Sequence, residues 1–334
     1  MTNRSGKKSQ RPFLYRSLSS YLREVFGGPL RKIPVDPGFG CPNRDGTLSG
    51  KGCAFCNPES FVPPGARSGL DPVSRVRKWR EENPGEPFIV YMQAGSGTYA
   101  DPETFGSLVD ALCDIPGAAG LFVATRPDCV DEGILRVLEP WLYRKLIWLE
   151  MGLQSAHDRT LEVIGRGHDA AAFSSARELA RVFGIPVLAH VILGLPGEGP
   201  QEMLQTARFL AELGVEGVKI HHLQVIRNTA MEKMFREGKL VPLSWESYPA
   251  LVSSFLEELP SETAVHRLLS DAPEEILVAP DWPEKERVLQ AIREHMEKGG
   301  HWQGRLCRKR PALETGNGEV KEKGGKEKEK KDKR

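Results

Sequence analysis

An alternation narrows the possible folds more than any other feature. Six short apolar runs, at 33–35, 88–92, 121–125, 146–150, 185–193 and 217–221, are separated by polar or amphipathic stretches of helical length. Asp71-Pro72 and Asp101-Pro102 open two of those stretches, an Asp N-cap followed by a Pro suited to the first helical turn. In the first run Ile33 and Val35 alternate with polar neighbours; the other runs read as apolar on both faces, as expected of strands covered on both sides. Strand–helix alternation of this kind builds a parallel sheet with helices outside, closed into a barrel or left open. In either form, ligands sit at the carboxyl ends of the strands. Beyond residue 229 the rhythm changes. Helices are expected over 230–238, 245–259 and 283–298, and 265–269 is a seventh apolar stretch with strand character.

The loop after the first run carries the chemistry. It reads CPNRDGTLSGKGCAFC, with Cys41, Cys53 and Cys56 separated by eleven residues and then two. Cysteine is ordinarily a small buried hydrophobe. Three of them in a polar, glycine-rich loop read instead as soft ligands aimed at one centre. Structural zinc sites and common iron–sulfur clusters each take four ligands. Three local thiols therefore leave one corner open, to zinc with a histidine as the fourth ligand or to an iron–sulfur cluster.

Six cysteines in 334 residues do not make a disulfide framework. Reduced thiols, a polar basic N-terminus without an apolar core and the lack of any long apolar run point to a cytoplasmic protein without a membrane span. The net charge of +1 conceals an asymmetry. Residues 1–32 hold eight Lys/Arg against Glu24 alone, and residues 315–334 hold eight against five acids. The intervening body is therefore acidic. Arg11, Arg16, Arg23, Arg31 and Lys32 are candidates for phosphate contacts on an RNA. Part of this stretch, Tyr15 to Phe26, has the spacing of an amphipathic helix. The last twenty residues read as a solvated, disordered basic tail.

Polar residues gather at the other strand ends. Gln93 follows the second run, Glu150, Gln154 and Ser155 the fourth, and His190 lies near the end of the fifth. His221, His222 and Gln224 follow the sixth, and His266, Arg267 and Asp271 lie in or after the seventh stretch. If the strands curl, these residues converge on one mouth. Blander roles exist for some of them. Glu150 could pair with Arg144, Lys145 or Arg166, and His190 could be a satisfied core histidine. Cys113, Cys129 and Cys307 read as structural thiols.

The stretches PVDPGFGCPNRDGT, GCAFCN, QAGSGTYAD, EMGLQSAHDRTLEVIGRGHD, HVILGLPGE and VKIHHLQVIRNTAM together resemble the Elongator-catalytic-subunit-like branch of the radical S-adenosylmethionine (SAM) superfamily, and within it the bacterial YhcC/YtqA family. The eleven-residue first spacing is that branch's own. The resemblance implies a partial, six-stranded (β/α) TIM-like barrel over 31–228, a basic N-terminal helix region over 1–30, an α/β extension over 229–310 that completes or covers the barrel, and the tail from 311 to 334. It implies a [4Fe–4S] cluster on Cys41, Cys53 and Cys56, shielded by Phe55, and SAM bound at its open iron. Reductive cleavage of SAM would yield a 5′-deoxyadenosyl radical for hydrogen abstraction. Cofactor contacts are implied for Gln93, Glu150, Gln154, Ser155, Arg166 and His190. His190 stands where other members place an acid, and the 93–97 turn departs from the usual glycine-glycine-glutamate form. His221, His222, Gln224, His266 and Arg267 are left as substrate candidates. An electron donor such as flavodoxin or ferredoxin is the implied partner, and tRNA wobble uridine the first candidate substrate, with a peptide or small metabolite as alternatives. The competing class is a non-catalytic zinc-binding RNA module with a Cys₃His site.

Overall fold

The computed structural model describes residues 13–60 and 70–308. The chain runs α1 (Leu18–Phe26), β1 (Arg31–Val35), α2 (Pro72–Glu82), β2 (Phe88–Met92), α3 (Pro102–Cys113), β3 (Ala118–Thr125), α4 (Glu132–Leu138), β4 (Leu146–Gln154), α5 (Asp158–Val163), α6 (Ala170–Val182), β5 (Val187–Leu193), α7 (Pro200–Leu213), β6 (Gly217–His222), β7 (Val225–Ile226), α8 (Ala230–Arg236), α9 (Tyr248–Glu258), β8 (Ala264–Arg267), β9 (Leu277–Ala279) and α10 (Lys285–Gly299). The expected tail and Arg11 lie outside the described residues.

Seven strands form one parallel sheet in the order β1-β2-β3-β4-β5-β6-β8. Its edges, β1 and β8, do not pair with each other, so the barrel is partial. The seventh apolar stretch thus adds a strand to the six that alternation alone supplies. β8 is reached from β6 by way of α9, a further crossover of the same kind. Between β6 and α9 the chain inserts β7 and α8, and β7 pairs antiparallel with β9.

Both faces of the sheet are dry. On the outer side Val90, Leu121, Leu149 and Val191 pack with helix residues such as Phe105, Phe173 and Phe255. On the inner side Ile89, Tyr91, Phe122, Trp148, Leu188 and Ala264 form a second cluster with Leu22 of α1. α1 therefore plugs the half-barrel from inside. The edge of Tyr21 meets Trp148 at 5.6 Å, and Val265 N–H donates to Arg16 O at 2.7 Å on the exposed side of β8. Asp71, Asp101, Asp131 and Asp169 each cap a helix by accepting from the backbone N–H three residues on.

Two boundaries differ from the pattern. The sequence from Asp131 to Tyr143 reads as one helix, but α4 stops at Leu138 and the chain continues as a short 3₁₀ turn, because Pro140 lacks an N–H. The fourth strand does not end at Glu150 but continues to Gln154, whose φ of 77° turns the chain beside a register shift. That shift aims the end of β4 into the mouth of the barrel.

Candidate active site

The cysteine loop is held by its own backbone. Arg44 N–H donates to Cys41 O at 2.9 Å, Leu48 N–H to Pro42 O at 2.8 Å and Gly52 N–H to Asn43 O at 2.7 Å. Asn43, 1% exposed, is the pin. Its Nδ2 donates to Gly165 O at 2.8 Å and to Cys53 Sγ at 3.3 Å, while its Oδ1 accepts from Ser49 Oγ at 2.7 Å. The turn after β2 rests directly on the loop. Ser96 N–H donates to Gly40 O at 2.7 Å, and a Cβ on Gly95 would collide with the same carbonyl.

Cations meet the sulfurs. Arg166 Nη1 reaches Cys53 Sγ at 3.5 Å while its Nη2 donates to Gly152 O at 2.7 Å. Any side chain at Gly152 would meet Arg166 Nη2 at 2.5 Å and Gln154 Nε2 at 2.7 Å, so glycine is needed for this approach. Burial pushes the Cys53 thiol up. The charge of Arg166 and the hydrogen bonds from Arg166 and Asn43 outweigh it, and the net shift is downward, toward thiolate. Arg44 Nη1 lies 3.6 Å from Cys56 Sγ, whose pKa is raised by burial and by the charge of Cys53. Cys113 and Cys129 differ: burial drives them to about 12 and about 11, so both stay as thiols.

All three loop cysteines open on one cavity of about 990 Å³ at the carboxyl ends of the strands. That is at the upper end of single-ligand pockets, with space for a cofactor and part of a substrate together. Gln93, Gln154, Arg166, His190, His221, Gln224 and Arg267 line the same cavity, and of these Arg166 meets a loop thiol directly. Arg126, 2% exposed, also lines it; its Nε donates to Asp128 at 2.9 Å and its Nη2 to Arg166 O at 2.8 Å.

Glu150 lies at the floor with its side chain fully buried. Its Oε2 meets His190 Nε2 at 2.9 Å and accepts from Lys219 Nζ at 3.1 Å. Its Oε1 stands 4.0 Å from Lys32 Nζ and 3.6 Å from His266 Nδ1. Lys219 also donates to Tyr91 OH at 2.6 Å. Burial alone would raise the carboxyl, but the charges of Lys219 and Lys32 outweigh it, and Glu150 is held well below the usual carboxylate range. His190 is driven to about 4, chiefly by burial, and is neutral near pH 7. Glu150 thus pairs with lysines of β1 and β6, not with Arg144, Lys145 or Arg166.

The remaining expected residues divide. Ser155 does not line the cavity; its hydroxyl bonds Glu198 of the GLPGE turn and accepts from His157 N–H at 3.0 Å. Strand alternation sends Glu150, Gly152 and Gln154 to the mouth and Ser155 away from it. His266 is buried below the floor, 4.9 Å from the Trp148 ring centre and 5.6 Å from that of Phe122, so a substrate in the cavity does not reach it. His222 borders the cavity, but its ring stacks on Trp282 at 4.0 Å and its Nδ1 accepts from Ser270 N–H at 3.2 Å. Among the basic residues proposed for phosphates, Arg16 is engaged by Glu24 and by Glu262 O, and Lys32 faces inward. Arg23 and Arg31 remain exposed.

Tyr91, Lys219 and Arg126 are site residues that sequence reasoning missed, and Lys32, read there as a phosphate contact, belongs to the same site. For Lys219 a signal was present. It sits between Val218 and Ile220 in a strand buried on both sides of it, and a charge there demands a buried partner.

A family model described as the Radical SAM superfamily matches residues 35–210, and a second, the Radical_SAM C-terminal domain, matches 215–298. The chain belongs to the radical SAM superfamily. It is 35% identical to YtqA of Bacillus subtilis over 301 residues, 87% of this chain and 92% of that one. It is 26% identical to a tRNA uridine(34) acetyltransferase of Dehalococcoides mccartyi over 53% of this chain and 38% of the relative. Among solved structures, the archaeal Methanocaldococcus infernus Elp3 superposes with a TM-score of 0.60 at 18% identity, over 82% of this chain and 64% of that one, a likeness of fold.

The protein is therefore an enzyme whose cofactors are a [4Fe–4S] cluster and SAM, and the family requires a reductant. The donor set fits a cluster: three thiols on one cavity, two of them meeting N–H donors, with the fourth corner open to the cavity. Among the described residues no three His, Cys, Asp or Glu side chains are gathered around the position of a single metal ion. Nor, among those residues, is any helix long and apolar enough to cross a membrane.

Proposed function

We propose that the cavity seats SAM on the side of Cys41, Cys53 and Cys56 and a substrate on the side of His221, Gln224 and Arg267, and that the reaction begins by hydrogen-atom abstraction. The observation that carries this reading is that both groups of residues line one continuous cavity. Cys41, Cys53 and Cys56 would hold the cluster, which when bound would supply the electron for reductive cleavage of SAM. Gln93 and the 93–97 turn face the cofactor across the loop they rest on. Arg166 holds Cys53 toward thiolate and carries positive charge to the same wall. Phe55, which also lines the cavity, excludes water beside the thiols.

Transfer RNA uridine is the substrate class we favour. The name of the Dehalococcoides relative and the exposed Arg23 and Arg31 support it. A flavodoxin- or ferredoxin-type donor supplies the electron. Anaerobic reconstitution with iron and sulfide is expected to give about four irons per chain. Dithionite reduction with SAM should then release 5′-deoxyadenosine, and Cys→Ala at any of the three positions should abolish both. Zinc uptake without iron, or iron retention in the triple variant, would overturn the cofactor assignment. Comparison of tRNA nucleosides between a deletion strain and its parent, grown with and without oxygen, tests the substrate; identical profiles would favour a peptide or metabolite.

A further inference from the structure

The floor of the cavity carries more positive than negative charge. Lys32 and Lys219, from two different strands, face one carboxylate, Glu150, and Arg267 of a third strand lines the same cavity. Lys219 is committed to Tyr91 OH and Glu150 Oε2. Lys32 Nζ stands over the Tyr91 ring at 4.9 Å and the Phe122 ring at 5.4 Å, with Glu150 no closer than 4.0 Å. The Arg267 side chain lines the cavity and has no hydrogen bond or ion pair among the described residues. The three cations repel one another. Burial, together with Lys32 and Arg267, pushes Lys219 down to about 7 against the pull of Glu150. Burial of uncompensated charge is costly, and a counter-charge brought in by a ligand relieves it.

We infer that this floor is an anion subsite, and that the substrate carries an acidic group, carboxylate or phosphate, gripped by the Arg267 guanidinium and the Lys32 ammonium. The inference rests on the reading of the cavity as the substrate site. Arg267 is suited to the task because its planar fork matches two oxygens of either acid. The carboxylate of SAM is a weaker claimant. Beside the thiols it has Arg166 and Arg126, whose Nη1 is buried without a hydrogen-bond partner. The exposed acids Glu274 and Glu275 line the outer rim, so an anion is retained only where it reaches the floor.

The test is titration of the full chain with malonate and with inorganic phosphate at constant ionic strength. Calorimetry is the readout, on the apoprotein and on the cluster-loaded protein saturated with SAM. Saturable binding of at least one anion is expected in both states, weakened at least tenfold by Arg267→Gln and less by Arg267→Lys. Circular dichroism confirms that both variants fold. Three results would each overturn the subsite: no saturable binding, binding that SAM displaces, or affinity unchanged in Arg267→Gln. The apoprotein arm needs no cluster, so failure there is distinct from failure to cleave SAM.

Discussion

Glu150→Gln isolates charge from packing at the floor of the barrel. The amide keeps the shape of the carboxylate and still has an oxygen for Lys219 and His190 to approach. What disappears is the charge that holds Lys219 protonated. In the native chain Lys219 titrates at about 7 instead of the ordinary 10.5, because burial, Lys32 and Arg267 together exceed the pull of Glu150. Without Glu150 its pKa falls further. A lysine depressed in the folded state is protonated more in the unfolded chain, so between about 7 and 10.5 stability rises with pH in both proteins. Below about 7 the two diverge. Wild-type Lys219 takes up its proton and the slope flattens; in the variant Lys219 stays neutral and stability keeps falling, by about 1.4 kcal/mol per pH unit. The variant is thus expected to lose about 1.4 kcal/mol at this site at about pH 6 and close to nothing at about pH 9. Lys32, whose pKa is also lowered by burial against the pull of Glu150, adds to the loss with the same sign. The figure is below the roughly 3–5 kcal/mol of a stranded buried charge because this lysine escapes by shedding its proton. Urea unfolding at the two pH values, followed by far-ultraviolet circular dichroism and tryptophan fluorescence, measures the difference. A loss equal at both pH values, or larger at the higher one, would show that Glu150 acts by packing rather than by charge.

Three further outcomes follow from single contacts. Gly95→Ala should lower iron and sulfide content after reconstitution, because φ of +64° costs a side chain about 1–2 kcal/mol and the new methyl strikes Gly40 O of the cysteine loop. Gly85→Ala, at φ +84° with open space around it, should carry the backbone cost alone and leave cluster content intact. Tyr248→Phe removes the 2.6 Å bond to Leu268 O in a fully buried position and should destabilise by about 1–3 kcal/mol in urea, leaving that carbonyl unpaired. Asp101→Ala deletes the cap that accepts from Thr104 N–H at 2.9 Å and should cost about 1 kcal/mol, measured the same way.

The repeating part of the fold was legible because each βα unit declares itself locally. Phe88–Met92 is buried at every position, and no partner strand needs to be known to read it as central. The seventh strand was less legible. Ala264–Arg267 is short and carries His and Arg, and it gains strand character by pairing with β6 and Arg16. The length of β4 was hidden for a related reason. Nothing local in EMGLQ shows that Gly152 must stay bare for Arg166, which is brought in from beyond α5.

The site divides along the same line. Its cysteine half lies within sixteen consecutive residues, held by turns that glycine and asparagine specify locally, and there spacing speaks for chemistry. The cationic half draws single residues from β1, β2, β4, β5, β6 and β8, and no local spacing ties them together. One signal crosses that distance. A strand buried on both faces tolerates an ionised side chain only against a partner, so Glu150 and Lys219 had to find one another. Arg267 breaks that accounting. Its side chain faces the cavity with no partner among the described residues, as a positive charge does where its counter-ion arrives with the ligand.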